Sequence, residues 1–249
     1  MKAPRIPSMA DFRLPFTAHL KDLRNRLIIS FSAISIGFLI SYALAELIFV
    51  ILAAPLLAAM GRGNKLIYTG LPEAFISYFK ISLIMGFIIA FPVIIHQIWK
   101  FVSPGLENKE RKYTLVFVVS STLLFFMGAV FGYFVILPLA LNFLLGFATP
   151  SMKPLITIKS YLVFASKTLL AFGLAFEIPF FLVFLAKMNI LTYEQLRARR
   201  KYYILIVFIV AAILTPPDII SQVMLAIPLI ILYEIGVLGA RLFARPVDS

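Results

Sequence analysis

Long apolar runs separated by short charged connections set the rhythm of the chain from Leu27 onward. Leu27–Ala45 carries no charge and closes at Glu46. A second apolar stretch, Leu47–Met60, is interrupted by Pro55 and is short and alanine-rich, so it reads as a helix lying at the outer membrane surface rather than a crossing. Gly61–Pro72, with Gly61, Gly63, Gly70 and Pro72, has the composition of a loop. Phe75–Trp99, Tyr113–Leu137 and Leu162–Ala186 are each long enough to cross a hydrocarbon core of about 30 Å as helices. Between the last two, Pro138–Tyr161 reads as a longer connection, partly helical, holding Gly146, Pro150 and Pro154. Two further runs, Tyr203–Leu214 and Val223–Ala240, flank Thr215-Pro216-Pro217-Asp218 and predict a tight helical hairpin. Its first arm falls short of a full bilayer, a mismatch that thins the membrane locally. The pattern predicts an all-α integral membrane protein with six transmembrane helices, the fifth and sixth short.

The polar positions add orientation. His19–Leu27 precedes the first run, with Leu20, Leu23 and Leu27 at helical spacing and His19, Asp22 and Arg26 on a neighbouring stripe. It predicts an amphipathic helix at the membrane surface that runs into the bilayer. Met1–Arg26 is polar and proline-containing, so the first span reads as an uncleaved anchor. Lysines and arginines concentrate in the N-terminal segment, in Lys100–Lys112, in Lys187–Lys201 and in the tail, against only Arg62, Lys65, Lys153 and Lys159 on the opposite connections. By the positive-inside rule both termini face the cytoplasm. The expected division is a cytoplasmic segment at 1–26, one transmembrane domain at 27–240 and a tail at 241–249. Within the basic loop after the fourth span, Thr192-Tyr193-Glu194-Gln195 begins like a short capped helix. Pro92, Pro179 and Pro228 fall one in each span that runs inward, where they predict kinks.

At 62% hydrophobic and 14% charged, the chain is far too apolar for a water-soluble domain. A net charge of +12 is accounted for by loop residues that set topology, and no aromatic-interleaved basic patch points to nucleic acid. With no cysteine and only His19 and His96, disulfides, thiolate chemistry and a histidine metal motif are excluded. No catalytic triad, hydrolase carboxylate pair or phosphate-binding glycine loop can be assembled, so neither an enzyme nor a cofactor is expected.

What remains is a small set of polar residues in costly places. Glu177 lies within the fourth span, where a carboxylate must be protonated, paired or hydrated. Lys167 is ten residues earlier, about 15 Å along the helix, too far to pair directly. The lysine reads as snorkelling outward and Glu234, in the last span, as interfacial. Thr215, Asp218, Ser221 and Gln222 gather at the outer end of the last two helices, either as turn and cap chemistry or as a docking point for a partner helix. Cytoplasmic carboxylates are few. Asp22 with Glu107 or Glu110 suits bidentate capture of guanidinium groups, while Asp22 with Arg26 at i, i+4 suits an ordinary helix-surface pair.

Several motifs in order resemble the TatC family of twin-arginine protein translocases. They include His19-Leu20-x-x-Leu23-Arg24-x-Arg26-Leu27, Gln97-Ile98-Trp99 with Phe101-x-x-Pro104 and Glu110-Arg111, Phe176-Glu177-x-Pro179, and Leu214-Thr215-Pro216-Pro217-Asp218 with Gln222. The resemblance implies a concave, glove-like six-helix bundle in the bacterial cytoplasmic membrane that recognises twin-arginine signal peptides on folded precursors. It implies a multimeric complex with single-span TatA- and TatB-type partners, driven by the proton-motive force. By the same resemblance, Asp22, Arg24, Arg26, Phe101 and Glu110 form the signal-peptide site, with Asp22 standing where the family usually has Glu. Glu177 matches the family's intramembrane Glu, and Thr215, Asp218 and Gln222 map to the partner-docking surface. The competing reading is a proton-coupled secondary transporter of a small solute, with Glu177 as its coupling carboxylate.

Overall fold

A computed structural model of the chain describes residues 16–61, 66–67, 70, 72–102, 114–146, 155–188, 190–215 and 218–243. The described residues form helices throughout: α1 (Phe16–Ala43), α2 (Ala45–Met60), α3 (Glu73–Val102), α4 (Thr114–Phe131), α5 (Leu137–Leu145), α6 (Ile158–Lys187), α7 (Tyr193–Ala198), α8 (Arg200–Leu214) and α9 (Ile219–Phe243). A π-helical turn at Gly132–Ile136 joins α4 to α5. The one strand-like feature among these residues is a parallel bridge between Ile67 and Thr157.

Among the described residues, five segments are long and apolar enough to cross a membrane: Leu20–Ala43, Glu73–Val102, Leu115–Leu145, Ile158–Lys187 and Ile219–Leu242. Large apolar side chains such as Phe31, Leu39, Leu115, Phe134 and Ile213 point outward along them. An apolar exterior of that extent belongs in lipid, which makes the chain a multi-pass membrane protein. α8, with 15 residues, is about 22 Å long and is the short arm that the sequence predicts. The sixth helix departs from that expectation. Asp218 caps it one residue before Ile219 and it runs on to Phe243 with Arg241 in its last turn, so α9 is 25 residues long and fully sized.

The third span also differs. The span is expected to end at Leu137 and give way to a partly helical connection, yet the helix continues without a break through Pro138 to Leu145. Proline in a helix lacks an N–H and its ring crowds the carbonyl four residues back. Here the π-turn widens the backbone just before it, with the Leu137 amide reaching back to the Gly132 carbonyl, and the proline is absorbed at the start of α5. Pro92, Pro179 and Pro228 sit inside α3, α6 and α9 as expected. α2 follows α1 directly, and it buries Leu52, Ala53 and Leu56 against the bundle.

α6 is the central element, packed on α9, α4 and α3. One cluster joins Leu52, Leu56, Ile81, Phe91, Phe125 and Leu162, with the Phe91 and Phe125 rings stacked at 3.7 Å. A second joins Phe172, Val207, Ala211, Leu225 and Leu229. In lipid, burial of apolar surface does not drive helix association, so close packing of small residues must do so. α1 meets α3 in this way. Gly37 and Ser41 of α1 face Gly86 and Ser82 of α3, an antiparallel pairing of two small-xxx-small stripes. A Cβ added at Gly86 would stand 2.5 Å from the Phe38 amide nitrogen, and one at Gly37 2.5 Å from the Gly86 carbonyl oxygen. α1 has almost no other lateral support, touching α2 only lightly.

Candidate functional site

The glycine crossing sets the register of the helix pair. Asp22 lies fifteen residues before Gly37, and Phe101 fifteen after Gly86, so each sits about 22 Å from the crossing, at the same end of the pair. Arg24 and Arg26 share that level. Three of the residues expected on α1 and the one expected on α3 are therefore brought together at one end. Glu110, with Glu107, lies in the connection leaving α3 and falls outside the described residues.

Within this end, Arg26 Nε donates to Asp22 Oδ2 at 2.7 Å. The arginine side chain is 13% exposed and the aspartate 44%. Thus the ordinary i, i+4 pair is formed, and it presents a carboxylate on the open side of an anchored guanidinium. A partly solvated ion pair of this kind is worth at most about 1 kcal/mol. Arg24 borders a shallow apolar hollow on the free face of α1 with Leu27, Ile28, Phe31, Ser32 and Ser35. The end of α3 is held rigid from behind. Trp99 stacks on Phe117 of α4 at 4.8 Å and meets Phe184 of α6 edge-on at 4.6 Å. Its indole Nε1 is buried and has no hydrogen-bond partner among the described residues.

Glu177 lies past the middle of α6 and is half-buried. Its Oε1 is buried with no partner among the described residues. Lys167 makes no compensating contact with it.

At the α8–α9 turn both readings of the polar cluster find material. Thr215 Oγ1 donates to the Ala211 carbonyl at 2.9 Å, closing α8, and Asp218 Oδ1 accepts from the Ser221 amide at 2.7 Å, opening α9. Gln222 Nε2 donates to the Phe208 carbonyl at 2.8 Å, stapling the first turn of α9 to α8. The amide nitrogen is thus used within the hairpin. Asp218 Oδ2 and Ser221 Oγ remain buried without partners among the described residues. Thr192 and Gln195 form the expected reciprocal cap of α7.

Two polar features escape a reading of the sequence. Glu73 is 7% exposed at the start of α3, and its carboxylate accepts from the Gly70 amide at 3.3 Å and the Lys159 amide at 3.2 Å. It thereby ties the loop before α3 to the start of α6, beside the Ile67–Thr157 bridge. The only signal was an acid in a first helical turn, which is common enough to pass unnoticed. Glu234 is paired with Arg200 at 2.6 Å, both 36% exposed, linking the first turn of α8 to α9. Among the described residues no group of His, Asp and Glu side chains could hold a metal ion.

A sequence model of the family described as Sec-independent protein translocase protein (TatC) matches residues 18–228. The chain belongs to the TatC family. It is 50% identical over 242 residues to the TatC protein of Desulforapulum autotrophicum, covering 97% of this chain and 90% of that one. The TatC protein of Escherichia coli is 38% identical over 92% of this chain and 89% of its own length. A crystal structure described as the twin arginine translocase receptor TatC superposes with a TM-score of 0.85 at 44% identity, covering 91% of this chain and all of that one. These relatives are named as translocase components, in agreement with the non-enzymatic reading of the TatC sequence here.

Proposed function

We propose that this TatC protein is the signal-peptide receptor and multispanning core of a twin-arginine protein translocase in the bacterial cytoplasmic membrane. The observation that carries the reading is the α1–α3 register, which sets Asp22, Arg24, Arg26 and Phe101 at one level in a chain of this family. In the proposed mechanism the paired arginines of a signal peptide dock on Glu110 and Asp22 in bidentate geometry. The apolar part of the signal then lies along the bundle, and the folded precursor follows, with the proton-motive force as the energy source. Asp22 is a shorter acid than the family's usual Glu, so Glu110 is the principal acceptor.

The proposed topology has six crossings and both termini cytoplasmic, α8 being the fifth crossing despite its length. It is supported by the distribution of basic residues and by the helix ends. At about 22 Å against a core of about 30 Å, α8 favours a locally thinned bilayer. TatA- and TatB-type single-span helices dock beside it at Thr215, Asp218 and Gln222, where Asp218 Oδ2 and Ser221 Oγ offer unused hydrogen-bonding capacity. A complex of several subunits follows from those partners. Glu177 supplies an intramembrane polar point on the path of the signal; the family match gives no support to a small-solute transporter built around it.

Binding of a synthetic twin-arginine peptide to the purified protein tests the site. Glu110→Lys places a cation where the acceptor stands and abolishes binding; wild-type affinity in that variant overturns the assignment.

A further inference from the structure

We propose that the seam between α6 and α8 binds one anionic phospholipid, its phosphate on Arg199 and one acyl chain lying along α8 toward Lys167. α8 packs on α9 and only lightly on α6, which leaves a trench between them. One part, of about 460 Å³, is lined by Leu170, Ala171 and Leu174 of α6 and by Ile206, Val210 and Ile213 of α8. A second part, of about 570 Å³, opens under α7 with Arg199 and Tyr202 at its mouth. Both are bordered by Tyr203 and Ile206 and so adjoin along α8, where one lipid would occupy them together as a single channel.

The charges at the mouth are sorted. Arg200 is neutralised by Glu234 at 2.6 Å, and Lys201 lies over the Tyr202 ring at 5.2 Å. Arg199 is exposed and makes no side-chain bond to a described residue, which leaves a free cation at the interface. The tyrosines that floor the mouth are turned away from it: Tyr203 donates to the Leu229 carbonyl at 3.1 Å and Tyr233 to the Leu196 carbonyl at 2.8 Å. Their stacked rings, 4.0 Å apart, give the channel an apolar floor. A basic mouth leading into an apolar channel between helices is the arrangement that recognises an anionic lipid headgroup with its chain attached.

From Tyr203 to Leu214 the channel follows α8 for about 17 Å, most of the length of that short helix, and Lys167 of α6 is among the residues that line it.

Native mass spectrometry of the full-length protein in mild detergent, titrated with phosphatidylglycerol or phosphatidylcholine, tests the proposal. Wild type binds phosphatidylglycerol more tightly. Arg199→Gln weakens it about fivefold, to the level of phosphatidylcholine, as expected for one interfacial cation. Arg197→Gln, outside the channel, changes neither lipid. Ala171→Trp fills the channel and weakens both lipids, and Val210→Phe does the same from the α8 side should the first variant fail to fold. Glycerol phosphate, which has the headgroup charge but no chain, does not bind. Equal affinity of wild type for the two lipids, or unchanged phosphatidylglycerol binding in Arg199→Gln, overturns the proposal. So does unchanged binding in both channel-filling variants, which would leave the seam free for a protein helix.

Discussion

Replacing Gly86 by alanine probes the seam that positions the proposed receptor surface. The added Cβ would lie 2.5 Å from the Phe38 amide nitrogen and 2.7 Å from Phe38 Cα. Both are backbone atoms, which no change of rotamer moves. Non-bonded carbons settle at about 3.5–4.0 Å, so α1 and α3 must separate by about 1 Å. A gap of that size forfeits a quarter to a half of each dispersion contact across it, and overpacking of this kind costs about 1–3 kcal/mol. Because α1 leans on α3 and little else, the displacement passes down to the level of Asp22 and Phe101. The expected result is an apparent melting temperature several degrees lower in detergent. Affinity for a fluorescent twin-arginine peptide falls about tenfold, equivalent to about 1.4 kcal/mol, by anisotropy. Gly70→Ala is the control, since among the described residues its Cβ would meet only Pro72 Cδ at 3.8 Å. Unchanged melting and binding in Gly86→Ala would refute the argument that this crossing holds α1 in place.

Glu73→Ala leaves the Gly70 and Lys159 amides without their acceptor, at about 1–3 kcal/mol for each that stays buried. Limited proteolysis of the connections beside Glu73 should then run several-fold faster, whereas Glu73→Gln, which retains an acceptor oxygen, recovers most of the protection; equal cleavage in all three proteins would show that the clasp is idle. Gln222→Leu removes the bond to the Phe208 carbonyl, a loss of about 0.6 kcal/mol by the average for interhelical bonds in membranes, and should reduce crosslinking of the hairpin to a TatB-type helix. Crosslinking at the wild-type level would mean that the docking surface lies elsewhere.

Much of this architecture was legible before any coordinates. Hydropathy alone locates the long spans, because length and apolarity are what a bilayer demands of any helix, and the Thr192–Gln195 cap and the Asp218 cap are local chemistry that spacing reveals. The misreadings have a common cause. The hydropathy pattern separates the third span from a partly helical connection at Pro138, and the π-turn upstream, where Gly132 packs against α6, carries the helix past the proline as one segment. The α1–α3 seam is invisible for a similar reason. Gly37, Ser41, Ser82 and Gly86 are unremarkable in a composition rich in small residues until two helices bring them face to face. Of the site, the residues on α1 and α3 were legible through motif resemblance, and their common level came from the register. Glu73 was missed because its partner amide lies 86 residues away in the chain.

That separation has a consequence for how the protein is made. Chains emerge from the ribosome at about 5–20 residues per second, so the Lys159 amide follows Glu73 by about 4–17 s. Throughout that interval Glu73 lacks the amide that ties it to the start of α6. The end of the bundle where Gly70, Glu73 and Lys159 meet is therefore among the last parts to set, fastened by a carboxylate whose second amide arrives with the later half of the chain.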